Sequence, residues 1–259
     1  IAIRDKYGVS QKDFSEILDW GRATITRYEN HQVQDRAHDD VLRKIDSDPK
    51  WFLQMLKRAA VKISDKAFNK YHQAANALFG KMKSQYLMDS IQALYTGYED
   101  DLITGGVELN LNKVVEIINY YALKVSSLHK VKLMKMLWYG DSLSYKRNGR
   151  SITGLVYMAL PMGAVPKDYE QIIDLDGVEF EIVFYHDYDH MGYRFKPAEG
   201  FEIKELTPSE IEILDAVIAE VGHLNSQEII NKMHDEDAYK CTDSNCIIPF
   251  TFAEKLSLH

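Results

Sequence analysis

Apolar residues recur at helical spacing from Phe14-Ile17-Leu18 to Leu133-Leu137-Trp138, and a two-residue alternation appears only beyond Gly149. Side chains repeat their direction every ~3.6 residues in a helix and every two in a strand. The change of period therefore predicts an α+β molecule, mainly α-helical, whose second half carries a small β-sheet. Of the 259 residues 46% are hydrophobic, including 16 Tyr and 10 Phe, enough for packed cores and against wholesale disorder. No apolar stretch approaches the ~18 residues of a membrane span. The start, Ile1-Ala2-Ile3-Arg4-Asp5, has neither an apolar signal region nor a Met, so a cytoplasmic protein with upstream residues missing is expected.

Ser10-Gln11-Lys12-Asp13 opens a short helix, with Ser10 as its cap and Phe14, Ile17 and Leu18 as its buried stripe. Asp19-Trp20-Gly21 breaks it, and Arg22 to Glu29 restarts it with Ile25 and Tyr28 facing inward. Two short helices around a glycine-containing turn make the helix-turn-helix pattern. Helical patterns follow at 36–45, 49–60 and 65–99, the last interrupted at Gly80. Gly97 to Gly106 is polar and glycine-containing, and the domain boundary is expected there. Two more helices are predicted at 111–125 and 129–147, then strands at Val156–Leu160 and Phe180–Phe184. Thr207-Pro208-Ser209-Glu210 starts a helix to about Val221, and another runs from Asn225 to His234. The expected divisions are 1–60 (helix-turn-helix region), 61–106 (connecting helices and linker), 107–240 (second domain) and 241–259 (C-terminal extension).

In a helix-turn-helix the second helix enters the major groove of DNA. Here that helix turns Arg22, Ala23, Thr26 and Arg27 outward, and arginine can bond guanine bidentately. Gln11 and Thr24 are placed to meet phosphates. Residues 1–31 carry five basic and five acidic side chains, so general cationic attraction is lacking. Binding would rest on placed contacts and on two copies of the chain, making a homodimer the expected form.

The net charge of −8 hides two opposed segments. Residues 57–83 hold Lys57, Arg58, Lys62, Lys66, Lys70, Lys81 and Lys83 against Asp65 alone. Residues 199–237 hold eleven acids, Glu210 and Glu212 among them, against Lys204 and Lys232. Two solvated faces would look the same, but the pattern also suits two surfaces with different partners. Trp138, Tyr139 and Tyr157 belong to an aromatic stripe that is mostly core, although such residues also anchor interfaces. With Arg150, they are candidate partner contacts.

Chemistry-bearing clusters are sparse. His186-Asp187-Tyr188-Asp189-His190 offers zinc or manganese ligands, yet it lies where a polar loop is expected, and no metal or other cofactor is assigned. His234-Asp235-Glu236-Asp237 could supply a base and acids but also ends a helix. Gly149 to Gly154 is a turn and not a phosphate loop, since no Gly-Lys-Ser/Thr follows. Cys241 and Cys246 are expected as free thiols. No catalytic residue is assigned.

Two resemblances sharpen this reading. Tyr7-Gly8-Val9-Ser10-Gln11 through Thr24-Ile25-Thr26-Arg27-Tyr28-Glu29-Asn30, with Gln34-Asp35 and Ala37-His38-Asp39, resembles the helix-turn-helix of MqsA-like antitoxins. Those often carry an upstream zinc module. Lys132-Leu133-Met134, Trp138-Tyr139-Gly140-Asp141, Gly149-Arg150-Ser151-Ile152-Thr153-Gly154, Tyr157 to Pro166, Leu206 to Glu210 and Met233 to Tyr239 are similar to the Panacea domain of SocA-like antitoxins. The second resemblance spans about 113–240. It departs at Met233 and Tyr239, where family members commonly have Ser and Trp.

The resemblances imply an antitoxin of a type II toxin-antitoxin system. It would neutralise a protein toxin by direct contact and bind operator DNA for autoregulation, without catalysis. The alternatives are a phage-type transcriptional regulator, a proteolytic adaptor, and a metal-dependent hydrolase using His186 or His234.

Overall fold

The computed structural model describes residues 2–30, 35–185 and 190–259. They fall into two compact units, Ile1–Tyr86 and Leu87–His259.

The first unit is helical: α1 (Ala2–Tyr7), α2 (Gln11–Leu18), α3 (Arg22–Glu29), α4 (Arg36–Ser47), α5 (Pro49–Arg58) and most of α6 (Asp65–Tyr95). Capping sets the starts. Ser10 Oγ accepts from Asp13 N at 3.0 Å, Asp35 from His38 N at 2.9 Å and Asp48 from Trp51 N at 2.9 Å, each meeting an amide the helix cannot. Asp19, at φ 57°, ends α2 in the left-handed region, and Gly21 caps α3. Phe14, Ile17, Leu18 and Ile25 are buried with Leu42, Ile45, Phe52 and Leu56. Tyr7 stacks on Phe52 at 4.0 Å and donates to Ile45 O at 2.6 Å, which ties α1, α4 and α5 together. Burial pushes the Tyr7 phenol up to about 12.

Helix α6 runs unbroken through Gly80, which overturns the expected interruption. A glycine in a helix costs only about 1 kcal/mol relative to Ala, too little to stop a 31-residue helix.

The second unit is built around a central helix. It contains α7 (Asp101–Thr104), α8 (Leu111–Lys124), α9 (Lys130–Asn148), β1 (Tyr157–Leu160), β2 (Gly163–Pro166), α10 (Tyr169–Ile172), β3 (Glu179–Tyr185), β4 (His190–Lys196), α11 (Pro208–Val221), α12 (Ser226–Asp235), α13 (Asp237–Lys240) and a 3-10 turn at Phe250–Lys255. Every residue of α9 from Lys132 to Ser144 is buried, so its single expected stripe was too narrow a reading. A helix covered on all sides is the middle of a core. Among the described residues, β1–β2 and β3–β4 form two separate antiparallel ribbons, with Tyr157 opposite Pro166 and Glu179 opposite Lys196. The fold is mainly helical α+β, as expected; β2 and β4 were not anticipated.

The expected linker belongs to this unit. Gly105 O accepts from Ser151 N at 2.8 Å and Thr104 O from Ser151 Oγ at 2.8 Å, so the stretch before Leu109 is bonded down. Its glycines make a turn and not a flexible link. The C-terminal segment is fastened too: Lys146 Nζ donates to Leu256 O and Leu258 O at 2.8 and 2.9 Å, and Leu258 is fully buried. No helix among the described residues is long and apolar enough to cross a membrane.

Candidate protein and nucleic-acid surfaces

On α3, Arg22, Ala23, Thr26 and Arg27 are exposed, Thr24 is half-buried and Ile25 is buried. The helix thus turns one apolar residue inward and keeps its cations outward. Gln11 Nε2 donates to Thr26 Oγ1 at 3.3 Å and to Glu29 Oε2 at 3.0 Å. Glu29 in turn accepts from Arg4 Nε at 2.5 Å, and that guanidinium holds its carboxyl below the usual range. Gln11 is therefore a brace between α2 and α3, a role its assignment to phosphate did not foresee.

In the second unit the motif segments converge, mostly for structural reasons. Asp141, 1% exposed, accepts from Ile152 N at 2.8 Å, Thr153 N at 2.9 Å, Thr153 Oγ1 at 2.5 Å and Tyr157 Oη at 2.6 Å. Burial pushes its carboxyl up, and these hydrogen bonds oppose the shift. A Cβ at Gly154, where φ is +74°, would lie 2.6 Å from the backbone of Glu108. The Gly149–Gly154 turn is thus held from both sides, leaving Arg150 exposed.

Trp138, Tyr139 and Tyr157 are 3%, 0% and 0% exposed. As partner contacts they are corrected: they are core, beyond the reach of a docking protein. Of the acidic candidates, Glu212 is exposed. Glu210 is committed inside the chain, capping α11 with Thr207 and pairing with Lys113 Nζ at 2.6 Å, contacts that lower its carboxyl against the opposing effect of burial. Glu116 is similarly spent: its carboxylate accepts from the amides of Lys204, Glu205 and Leu206 at 2.9 to 3.1 Å.

The His186-to-Asp189 part of the metal candidate lies outside the described residues. Among the described residues no three His, Cys, Asp or Glu side chains converge on a metal position, and Cys241 and Cys246 are free and exposed. His234 stacks on Tyr239 at 4.5 Å, and its Nε2 is buried with no hydrogen-bond partner. Glu236 is held by Tyr139 Oη at 3.3 Å, Ser257 N at 3.1 Å and the Ser257 hydroxyl, so its carboxylate serves packing.

One residue escaped the sequence reading. Lys135 is 1% exposed, and burial pushes its amine down to about 8. Lysines at 132 and 135, with Tyr139 and Ser142, fall at i, i+3, i+7 and i+10. Two cations on the same helical stripe as a core tyrosine are the signal that was available. Lys132 Nζ reaches Gly222 O at 3.0 Å, whereas among the described residues no acceptor meets Lys135 Nζ.

The second unit is thus a helical domain with two β-ribbons whose motif residues are largely spent on its own packing. Residues 133–240, less than half of the chain, match the family model described as antitoxin SocA-like, Panacea domain. That supports an antitoxin at the level of the family. No curated protein and no solved structure matches the chain.

Proposed function

We propose that the chain is the antitoxin of a type II toxin-antitoxin system. The second unit neutralises a cognate protein toxin by binding it, and the first unit reads operator DNA as a helix-turn-helix, two copies of the chain engaging two half-sites. The observation that carries the reading is the Panacea match over 133–240. The exposed Arg22, Ala23, Thr26 and Arg27 on α3, braced through Gln11, support the DNA part. The exposed acids of α11, Glu212 and Glu220, suit a toxin with a basic surface. Arg150 is retained as a partner contact, and the role requires neither catalysis nor a cofactor.

The test is expression of the adjacent gene alone and together with this chain, followed by titration of the purified pair. Growth arrest by the neighbour, relief by this chain, and toxin activity reaching zero at a fixed molar ratio are expected. Inactivation at sub-stoichiometric amounts that persists after removal of this chain would indicate an enzyme and end the proposal. Relief that disappears when cellular proteases are deleted would replace direct neutralisation with the adaptor role.

A further inference from the structure

We propose that the cleft between α8 and the loops 175–177 and 198–205 seats a basic segment of a partner protein. An apolar side chain of that segment enters the cleft, and its lysine or arginine neighbours meet the rim. That the partner is the toxin rests on the antitoxin reading; the cleft's preference for such a segment does not.

The cleft has a volume of about 380 Å³, and Met88, Val115, Leu175 and Phe201 supply its apolar lining. A concavity of this size suits a small ligand or an anchoring side chain. Met88, Val115 and Phe201 are half-buried, so the lining is still partly open to a partner. Met88 and Val115 also pack on the core of the unit, whereas Phe201 lies outside that core.

The walls are fixed from within. Asn119, 1% exposed on α8, donates to Gly177 O at 2.8 Å and accepts from Ala198 N at 2.7 Å, so one side chain pins both loops. Glu116 holds the end of the second loop through the amides of Lys204, Glu205 and Leu206. Gly177, at φ +83°, lies flat on the floor: a Cβ there would sit 3.2 Å from Val115 Cγ1. A preformed cleft spares a partner the cost of ordering it.

The rim decides the occupant. Asp176, Glu202 and Glu205 line the mouth and are exposed, within reach of a docked protein. Lys204 is the only cation among the described residues that line the cleft. Glu205 accepts from the side-chain amides of Asn110 and Asn112 at 2.9 and 3.0 Å, neutral donors that leave its charge uncompensated. Among the described residues no hydrogen bond or ion pair engages the side chain of Asp176 or Glu202. Carboxylates around an apolar concavity concentrate negative potential there, which complements flanking cations and repels acidic segments.

The full chain carrying 13C-methyl methionine is titrated with the capped tripeptide Lys-Leu-Lys at constant ionic strength. The Met88 signal is assigned by its loss in Met88→Leu. A saturable shift of that signal, on the order of millimolar for so small a ligand, is expected, with the exposed Met82 and Met162 unmoved. The tripeptides Lys-Ser-Lys and Glu-Leu-Glu, each lacking one half of the complement, should shift it at least about fivefold more weakly. Asp176→Lys/Glu202→Lys should lose the shift yet melt with the parent, since neither carboxylate is bonded in the fold. The toxin already shown to bind should lose at least about tenfold in affinity for the same double variant. Equal shifts from Lys-Ser-Lys or Glu-Leu-Glu overturn the proposal, as does no Lys-Leu-Lys shift together with unchanged toxin affinity. A saturable Lys-Leu-Lys shift with unchanged toxin affinity keeps the cleft and removes the toxin as its occupant. If the adjacent gene product does not bind the parent chain, the antitoxin reading fails while the tripeptide titration still decides the cleft.

Discussion

Tyr157 donates its hydroxyl to Asp141 across 2.6 Å, joining strand β1 to the central helix α9 in a place that solvent does not reach. The same carboxylate holds Ile152 and Thr153, so one side chain organises the whole Gly149–Gly154 turn. Asp141→Ala strands several buried donors at once and should cost about 3–5 kcal/mol. Tyr157→Phe removes one donor and leaves the other three bonds, for about 1–3 kcal/mol. Urea denaturation of the two variants measures this. Equal losses would show that the carboxylate is not the organising group.

Lys135 gives a pH signature. Its amine is pushed down to about 8 in the fold against 10.5 in a free chain, so the unfolded state binds more protons between those values. Stability therefore rises with pH across that window, and the penalty is fully present below about pH 8. Lys135→Met should be more stable than the parent by up to about 3 kcal/mol at neutral pH, with the gap narrowing towards pH 10.5. Comparing the two proteins cancels the buried tyrosines, which burial pushes up in both. A gap that does not change between pH 7 and 10 would refute the assignment.

If α3 reads bases, Arg22→Ala and Arg27→Ala should each weaken the preferred operator by ~1–3 kcal/mol and relax sequence preference. Gln11→Ala should weaken all sequences together, because it loosens α3 from α2. Gel shifts on the native promoter and on scrambled DNA distinguish these effects. Parental binding by both arginine variants would remove α3 as the reader.

The packed link changes where the chain can be divided. A fragment starting at Leu87 retains Ile91, Tyr95 and the bonds from Ser151 to Thr104 and Gly105, and it should fold and relieve toxicity without promoter binding. A fragment starting at Leu109 loses all of these and should melt markedly lower. Thermal denaturation of both decides; equal melting would return the boundary to the 97–106 stretch.

Charge reversal on α11 should be made at Glu212 and Glu220, both exposed, and not at Glu210, which holds Lys113. The double variant should associate more slowly with the toxin and with less dependence on salt, at unchanged melting temperature. Stopped-flow association at two ionic strengths is the measurement. An unaltered rate would place the toxin on another face.

Much of the architecture was legible because it is written locally. Ser10, Asp35, Asp48, Thr207 and Asn225 announce helices by capping, and the apolar spacing of Phe14, Ile17 and Leu18 marks their inner face. Gly80 misled because a single glycine is a weak signal inside 31 helical residues. Gly105 misled because its turn is bonded to Ser151, 46 residues further on, which no local pattern reveals. For the candidate surfaces, residue type suggested Trp138 and Tyr139, but the burial of α9 from Lys132 to Ser144 depends on elements from α11 to the 3-10 turn, far along the chain. Lys135 was overlooked for the same reason: charge looks solvated until the covering elements are in place.

The grip of Lys146 on Leu256 and Leu258 also sets an order of events during synthesis. The core around α9 closes over a residue translated 112 positions after the lysine that holds it. A ribosome must therefore release almost the entire second unit before that core can form, whereas the helices of the first unit need nothing beyond α6. Nascent chains will spend a period with the first unit folded and the second still open, exposed to proteases and to chaperones.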